Sequence, residues 1–226
     1  MMNEASGGAR LVIAIDGPAA AGKGTLARRL AEHYGLAFLD TGALYRAVGL
    51  AMLRAGLDPD DPRAAEEVAR KLDLSLMEDP DLRGMKAGEA ASKVARHAGV
   101  RAALLDFQRA FAYERNPNGA VLDGRDIGTV VLPEADVKLF VTASPEVRAK
   151  RRFEELRAQG RDVAYEEVLA AVRERDARDM NRAEAPLRPA EDAHLLDTSE
   201  LDICAAFRAA REIIDARARA KTGGRA

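Results

Sequence analysis

Short apolar runs alternate with segments of helical periodicity along the chain. Five of these runs have the continuous apolar character of strands that are buried on both faces of a sheet. They are Leu11–Ile15, Ala37–Asp40, Ala120–Asp123, Val137–Val141 and His194–Asp197. The patterns between them predict helices at Lys23–Tyr34, Ala43–Ala55, Pro62–Leu72, Gly88–His97, Val100–Glu114, Pro145–Gln159, Tyr165–Arg182 and Leu201–Ala218. This alternation predicts an α/β fold of three layers, with helices on both faces of a five-stranded parallel sheet.

Three of the predicted strands end in an aspartate followed by a turn residue. The three places are Asp16-Gly17, Asp40-Thr41-Gly42 and Asp123-Gly124. Aspartate and glycine are common in ordinary turns, so the pattern has a purely structural explanation. Ligands of a doubly wound sheet, however, bind beyond the carboxyl ends of its strands. We therefore favour a shared site at this edge of the sheet.

The segment after the first strand, GPAAAGKGT, has the G-x-x-x-x-G-K spacing of a phosphate-binding loop. Its glycines allow a sharp turn and leave room for backbone N–H groups to reach phosphate oxygens. Lys23 opens the next helix, whose N-terminus also favours an anion. The hydroxyl that usually follows the lysine comes one place later, at Thr25, as in nucleoside monophosphate kinases. The pattern predicts an ATP site at Gly17, Pro18, Ala19, Ala20, Ala21, Gly22, Lys23, Gly24 and Thr25.

The composition limits the classes of protein that the chain can represent. Lys and Arg number 35 against 37 Asp and Glu, a net charge of -2, which argues against a general nucleic-acid binder. One cysteine, Cys204, excludes a disulfide framework, and the three histidines lack the spacing of metal ligands. No apolar run approaches the roughly 20 residues that cross a bilayer.

The N-terminal residues MMNEASGGAR have no apolar signal-peptide core, and we expect them to be a frayed leader. With the composition, this predicts a single-domain cytoplasmic monomer that has no nucleic-acid or membrane partner.

Arginines stand close to the predicted strand ends and on a later helix. Arg46 comes one helical turn after the second strand, and Arg125 almost directly follows the third. Arg175, Asp179 and Arg182 are spaced i, i+4 and i+7, so we expect one helix face to carry all three. The planar guanidinium suits bidentate contact with a phosphate, although a self-paired solvated helix has the same pattern.

No histidine or isolated carboxylate stands out as a general base, which a hydroxyl acceptor usually requires. A phosphate acceptor requires none, because it is already largely dianionic near pH 7, with a second pKa of about 6. It needs charge neutralisation and in-line placement, which arginines and magnesium supply. The sequence therefore favours a kinase whose acceptor is itself a phosphate.

The chain resembles the bacterial cytidylate kinases, the (d)CMP kinase group of the nucleoside monophosphate kinases. The resemblance runs from Leu11 to about Thr198 on the motifs IAIDGPAAAGKGT, FLDTGALYR, LDGRDIGTVV, ADVKLFVTAS and RERDARDMNRAEAPLRPA. It implies a P-loop core with an acceptor-nucleotide insertion and a short mobile lid. It also implies ATP as donor, Mg²⁺ as cofactor, and CMP or dCMP as acceptor. The insertion after LDLSL is shorter here than is usual in the family, and the small sheet expected there has little room.

The resemblance assigns the phosphate and sugar contacts residue by residue. The residues that correspond to acceptor-phosphate arginines are Arg46, Arg125 and Arg182, and those that correspond to catalytic residues are Lys23, Arg125 and Arg182. Those that correspond to contacts with the acceptor sugar are Thr41, Arg175 and Asp179.

Three more residues correspond to contacts with the cytosine ring: Ser92, Arg101 and Asp126. Cytosine offers an amino donor at N4 and acceptors at N3 and O2. Asp126 and Ser92 can accept from the amino group, and Arg101 can donate to the ring acceptors. Uracil has O4 in place of the amino group and has no proton there to share with Asp126.

The resemblance also divides the single domain 1–226. It implies a core at about 11–40, 115–147 and 190–220, an acceptor insertion at about 41–114 and a lid at about 148–164. The lid segment carries five arginines that either close over the γ-phosphate and exclude water or form an ordinary charged surface: Arg148, Arg151, Arg152, Arg157 and Arg161. We assign Arg157 to ATP. Thr25 and Asp123 are candidate magnesium ligands, directly or through water, and we assign Thr25.

Two other functions fit parts of the pattern. A different small P-loop kinase, acting on AMP, shikimate or dephospho-coenzyme A, is disfavoured by Asp126 and by the arginines of the late helix. A P-loop switch protein is disfavoured because the sequence has neither a water-positioning glutamine nor a guanine-reading N-K-x-D motif. A coupled assay of ATP consumption across CMP, dCMP, UMP, AMP and shikimate separates the three.

Overall fold

A parallel five-stranded sheet forms the centre of the computed structural model, which describes residues 10–223. The strand order is β2-β3-β1-β4-β5. The strands are β1 (Leu11–Asp16), β2 (Ala37–Asp40), β3 (Gly119–Gly124), β4 (Val137–Thr142) and β5 (His194–Asp197). Each predicted strand is present, and β3 extends one residue beyond its prediction at both ends. Because β1 is central, the loop that follows it leaves the middle of the carboxyl edge.

Eight α-helices surround the sheet within the described part of the chain. They are α1 (Lys23–Tyr34), α2 (Thr41–Arg54), α3 (Pro62–Arg70), α4 (Met85–Val94), α5 (Ala98–Tyr113), α6 (Pro145–Ala158), α7 (Tyr165–Asn181) and α8 (Ile203–Gly223). All eight were predicted, with ends that differ by at most three residues except at the end of α8, which lies five residues beyond its prediction. The α/β class and the three-layer order are confirmed.

Helix α7 ends one residue earlier than predicted. Arg182 is its C-cap: the φ of -65° keeps this residue at its helical position, and the ψ of 142° turns the chain out of the helix directly after it. The shared face for Arg175, Asp179 and Arg182 stays a prediction. The chain leaves the helix at Arg182 and turns through Ala185, which has a positive φ of 46°.

The two faces of the sheet have separate hydrophobic cores because alternate residues of a strand point to opposite faces. On β1, Val12 and Ala14 pack with residues of α2 and α5. Ile13 and Ile15 pack with residues of α1 and α8 on the other face. Side chains of β1 beyond Leu11 are buried on both faces, which is why the strand reads as one apolar run.

The segment between β2 and β3, where the acceptor insertion is predicted, consists of helices joined by turns and loops. Two short 3₁₀ turns, Leu74–Glu78 and Pro80–Arg83, lead directly into α4. All strands that the structure describes belong to the central sheet, so the described insertion carries no small sheet. Helices α2 and α4 approach closely at Gly49, where a Cβ would lie 2.8 Å from Ala90 Cβ. This contact positions the helix that carries Ser92.

The predicted frayed leader, residues 1–10, lies outside the described residues except for Arg10, which is exposed. Among the helices of residues 10–223, none combines the length and apolar character needed to cross a membrane.

Candidate active site

Three strand-ending aspartates stand at the carboxyl edge of the sheet. In the strand register Asp40 of β2 is paired with Asp123 of β3, and Asp16 of β1 is paired with Gly124. Thr41, directly after β2, donates its hydroxyl to the Asp123 carbonyl at 2.8 Å. Asp40 and Asp123 are therefore neighbours on one face of the sheet, and Asp16, one position further along, is on the other. The charge of Lys23 is influenced by all three carboxylates.

The loop after β1 has the backbone of a phosphate cradle. Gly17 adopts φ 146°, and a Cβ there would lie 1.9 Å from the Val141 carbonyl oxygen, so no other residue fits without rearrangement. Gly22 adopts φ 85° and caps α1, whose first residue is Lys23. The unpaired N–H groups of this helix end point towards the loop interior.

Side chains contact three carbonyl groups of this loop. Lys23 Nζ donates to Pro18 O at 2.9 Å and Arg148 Nη1 to Ala19 O at 3.3 Å. The Thr198 hydroxyl, which has one proton, lies 3.2 Å from Ala21 O and 3.0 Å from Thr142 O. The C=O and N–H of one peptide unit point in opposite directions. When a side chain holds one of these carbonyl groups, the N–H group of the next residue points away from that side chain. N–H groups oriented in this way are free to bind an anion.

Lys23 is buried at 5% exposure, 3.7 Å from Asp123 Oδ1. Burial lowers the pKa of its ammonium group to about 8, and the positive charge of Arg125 acts in the same direction. An anion bound in the loop would offset both effects, because it favours the charged form of the lysine. The free site is thus electrostatically prepared for phosphate.

Asp16 is a structural link between this loop and the segment after β3. Its carboxylate accepts hydrogen bonds from the N–H groups of Ile127 and Gly128, both at 2.7 Å. Burial raises the pKa of Asp16 to about 7 despite these two bonds. The bonds fix the short π-helical turn Ile127–Val131 and with it the side chain of Asp126 that precedes it.

An arginine network faces the loop from α7 and from the end of β3. Arg125 Nε donates to Asp179 Oδ2 at 3.2 Å, and Arg175 Nε lies 4.0 Å from the same oxygen. Burial lowers the pKa of Arg175 to about 10, with Arg125 as the next cause. Nearby, Arg46 Nη2 donates to Asp40 Oδ2 at 2.6 Å. Each arginine is oriented by a carboxylate while the site retains several positive charges.

Asp126 lies between two of the predicted acceptor arginines. Its Oδ2 accepts a hydrogen bond from Arg101, and its Oδ1 lies 3.7 Å from Arg182 Nη2. Burial raises the pKa of Asp126, and the two arginines oppose that shift. Arg182 also donates from Nε to the Ala185 carbonyl at 2.6 Å. The structure therefore brings Arg101, Asp126 and Arg182 together, with Arg182 at the C-cap of α7.

Several predicted contact residues bury a polar atom that has no hydrogen-bond partner within residues 10–223. Buried polar atoms are normally satisfied, so such atoms in one place suggest where a ligand binds. The atoms at this site are Arg46 Nε, Ser92 Oγ, Asp123 Oδ1, Arg175 Nε and Arg182 Nη2. Ser92 Oγ is one of these atoms. The short segment before α4 therefore does not prevent this predicted cytosine contact from presenting a buried hydroxyl.

Thr25 and Arg157 stand apart from these contacts. Thr25 is exposed in the first turn of α1, and Arg157 is exposed near the end of α6 with its guanidinium over the Phe153 ring. Two other arginines of α6 lie at the loop: Arg148, and Arg151, whose Nη1 is 4.0 Å from where a Cβ of Gly22 would be and donates to Thr198 Oγ1 at 3.1 Å. The roles of Thr25 and Arg157 stay predictions.

Some residues hold or orient the site residues, and the sequence did not predict this role for them. Arg148, expected among the lid arginines, is buried at 3% exposure and is paired with Asp176. Asp16 was visible as a strand-ending aspartate, but its two backbone partners come from more than a hundred residues later. Asp40 was also visible as a strand-ending aspartate, but its hydrogen bond with Arg46 was not predicted. Thr198, directly after β5, gave no signal in the sequence.

A magnesium ion fits the chemistry of this edge. Asp123 presents a buried oxygen that lacks a hydrogen-bond partner in the described range, beside the start of α1, where Oδ2 lies 3.3 Å from a Cβ position at Gly24. Carboxylate and hydroxyl oxygens with water are the ligands that Mg²⁺ prefers. No cluster of three or more metal-ligating side chains occurs among the described residues, so an ion here would depend on other oxygens as well.

The fold and the site together define a small P-loop kinase, in which a lysine loop faces an arginine cluster across one edge of a parallel sheet. A family model described as Cytidylate kinase matches residues 13–215. The chain belongs to the cytidylate kinase family.

Curated relatives agree over nearly the full length. The chain is 61% identical over 209 residues to the cytidylate kinase of Caulobacter vibrioides strain NA1000, covering 92% of this chain and 97% of that protein. It is 62% identical to that of Xanthobacter autotrophicus, covering 92% and 98%, and 60% identical to that of Rhizobium meliloti, covering 91% and 96%. A crystal structure of an uncharacterized protein from Eubacterium ventriosum has a TM-score of 0.53 at 17% identity, covering 91% of this chain and 99% of that one. This last likeness concerns the fold alone.

Proposed function

We propose that the protein transfers the γ-phosphoryl group of ATP to CMP or dCMP. The products are ADP and CDP or dCDP. One observation carries the proposal. At a single sheet edge, a buried lysine loop faces buried arginine nitrogens that have no hydrogen-bond partner in the described part of the chain. Such an edge accommodates two phosphate groups, one from the donor and one from the acceptor.

The donor phosphates occupy the loop from Gly17 to Thr25 in this proposal. Backbone N–H groups and the start of α1 bind their oxygens, and Lys23 moves from Pro18 O to the β- and γ-phosphates. Removing Lys23 from that carbonyl costs little, because a charge-assisted bond to phosphate is stronger than a bond to a neutral carbonyl. Arg151 and Arg157 are the α6 candidates for covering the γ-phosphate.

The acceptor lies against the insertion and α7. Arg46, Arg125 and Arg182 hold its phosphate, so that one of its oxygens attacks the γ-phosphorus of ATP while the bond to the leaving ADP oxygen breaks. Thr41, Arg175 and Asp179 contact the sugar. No general base is needed, since the attacking phosphate oxygen already carries negative charge.

In this proposal a bound Mg²⁺ would supply positive charge that offsets the charge of the donor phosphates. Asp123 and Thr25 would hold it, directly or through water. The same proposal divides the chain into a core at about 11–40, 115–147 and 190–220, an acceptor insertion at about 41–114 and a lid at about 148–164. It describes a cytoplasmic monomer with ATP, CMP and dCMP as its partners.

The test is a coupled assay of ADP release with one phosphate donor and a panel of acceptors. We expect turnover with CMP and dCMP that exceeds turnover with UMP, AMP, shikimate and dephospho-coenzyme A. Dependence on added Mg²⁺ is measured in the same assay. Preference for AMP, shikimate or dephospho-coenzyme A would overturn the proposal.

Asp126→Asn should reduce the use of CMP more than the use of UMP. An ionised Asp126 accepts from the cytosine amino group, which uracil lacks, and a hydrogen bond to a charged group contributes about 1.5–3 kcal/mol. We therefore expect the ratio of kcat/KM for CMP to that for UMP to fall about tenfold or more. Asp106→Asn, on the exposed side of α5, is the control. Equal losses for both bases would give Asp126 only the role of orienting Arg101 and Arg182.

ATP binding should weaken as the pH rises through 8. The pKa of Lys23 is about 8 in the free protein, and bound phosphate raises it, so above pH 8 the lysine must take up a proton on binding. We expect calorimetry of a non-hydrolysable ATP analogue, in buffers of different ionisation enthalpy, to detect this uptake between about pH 7.5 and 9. Lys23→Met should abolish it. Uptake that persists in the variant would assign the proton to another group.

A further inference from the structure

Arg148 is a buried arginine whose contacts join three parts of the molecule. It lies in the first turns of α6 at 3% exposure. Its Nε donates to the Ala143 carbonyl at 2.8 Å, where β4 leads into α6. Its Nη1 and Nη2 donate to the two carboxylate oxygens of Asp176 on α7, at 2.9 Å and 2.5 Å, and Nη1 also reaches Ala19 O in the phosphate loop at 3.3 Å.

These bonds span the two halves of the proposed site. Ala19 belongs to the loop proposed to bind the donor phosphates. Asp176 lies on α7 between Arg175 and Asp179. The proposed function places Arg175 and Asp179 on the acceptor side. One guanidinium thus fixes a carbonyl of the donor loop to the helix that orients the acceptor arginines. A planar group with a rigid set of donors suits this role, because it fixes angles as well as distance.

Holding α6 against α7 does not require this pair. Apolar side chains already pack the two helices together, with Ala149 and Leu156 against Val168 and Val172. An exposed ion pair also joins them, between Arg173 Nη2 and Glu146 Oε1 at 2.7 Å. A buried ion pair is often replaced by apolar residues without loss of stability. What Arg148 and Asp176 add beyond helix packing is the connection to Ala19.

We propose that Arg148 and Asp176 are positioning residues that set the donor loop relative to the acceptor helix, so that the two reacting phosphates lie in line. This inference rests on the proposed function. Misplacement of reacting groups by about 1 Å can cost about 100-fold in rate, even when the altered residue does not touch them. Arg148 acts here through Ala19, and Asp176 acts through Arg148.

The test compares two matched double variants. Arg148→Met with Asp176→Leu removes the buried pair and its bond to Ala19 while preserving volume, which favours folding. Glu146→Leu with Arg173→Met removes the exposed pair between the same two helices. Arg148→Lys is measured in parallel, since it keeps a cation beside Asp176 but cannot reach all three partners. Circular dichroism and thermal melting establish that each variant is folded.

Three measurements separate positioning from simple structural damage. They are kcat with CMP, the separate affinities for CMP and for a non-hydrolysable ATP analogue, and the affinity for adenosine linked to cytidine through five phosphates. We expect the buried-pair variant to lose about 10- to 100-fold in kcat and a similar factor in affinity for the linked molecule. The separate affinities should stay within about twofold, because each half of the site remains intact. The exposed-pair variant should match the unaltered protein, and Arg148→Lys should resemble the buried-pair variant.

Two results would overturn the inference while leaving the proposed function in place. One is a buried-pair variant with the kcat of the exposed-pair control. The other is a fall in the separate affinities equal to the fall in kcat, which would indicate damage within one half of the site. If the unaltered protein neither binds nor phosphorylates CMP, the proposed function and the inference both fail.

Discussion

Replacing Lys23 with alanine is expected to remove nearly all phosphoryl transfer and to leave the fold intact. Lys23 is the one residue of the donor loop that can deliver a full positive charge to the moving phosphoryl group. Preorganised groups of this kind contribute about 3–4 kcal/mol to the stabilisation of a transition state, so we expect kcat to fall about 100- to 1,000-fold.

The fold should tolerate this change for an electrostatic reason. Burial lowers the pKa of Lys23, which means that the folded protein without ligand does not favour its charge. Asp123, the carboxylate 3.7 Å away, has a pKa that burial raises, so it can take up a proton when the ammonium group is removed. Thermal melting and circular dichroism measure this, and Lys150→Ala, exposed on α6, is the control. Near-normal turnover of Lys23→Ala would remove the basis for a donor site at this loop.

The central sheet and the donor loop could be predicted because their signals are local. Five apolar runs and a glycine spacing need no knowledge of distant residues, and strands that run parallel bring their ends to one edge. That is why Asp16, Asp40 and Asp123 could be expected together. The helix starts at Lys23 and Pro62 were equally predictable, since each follows a residue type that favours a helix N-terminus.

Other features depend on residues far apart in sequence and could not be predicted. Arg148 has the same local pattern as the other arginines of α6, and only Asp176, 28 residues later, explains its burial. The two N–H groups that bind Asp16 lie more than a hundred residues beyond it. Helix α7 ends before Arg182 without a glycine or proline at that point, because the chain turns to place Leu187 N against the Asp179 carbonyl at 2.8 Å.

Arg182→Lys is expected to impair CMP-dependent turnover strongly although the charge is kept. One arm of the Arg182 fork is fixed, with Nε donating to Ala185 O at 2.6 Å. The other arm, Nη2, is buried without a hydrogen-bond partner in residues 10–223 and lies 3.7 Å from Asp126 Oδ1. A lysine ammonium cannot keep the first contact and present a planar pair of donors to the acceptor phosphate as well.

We expect Arg182→Lys to lower kcat/KM for CMP by about 100-fold, the cost of losing one well-placed donor in a transition state. Affinity for a non-hydrolysable ATP analogue should change little, because the charged neighbours of Arg182 are Arg101, Asp126 and Asp179 and none of them belongs to the donor loop. Calorimetry with the analogue and steady-state kinetics with CMP measure the two effects separately. Arg188→Lys, an exposed arginine in the same loop, is the control. Unchanged kinetics would make Arg182 an ordinary structural charge. A loss of ATP affinity would place it on the donor side, and the acceptor phosphate would then have to be assigned to Arg46 and Arg125 alone.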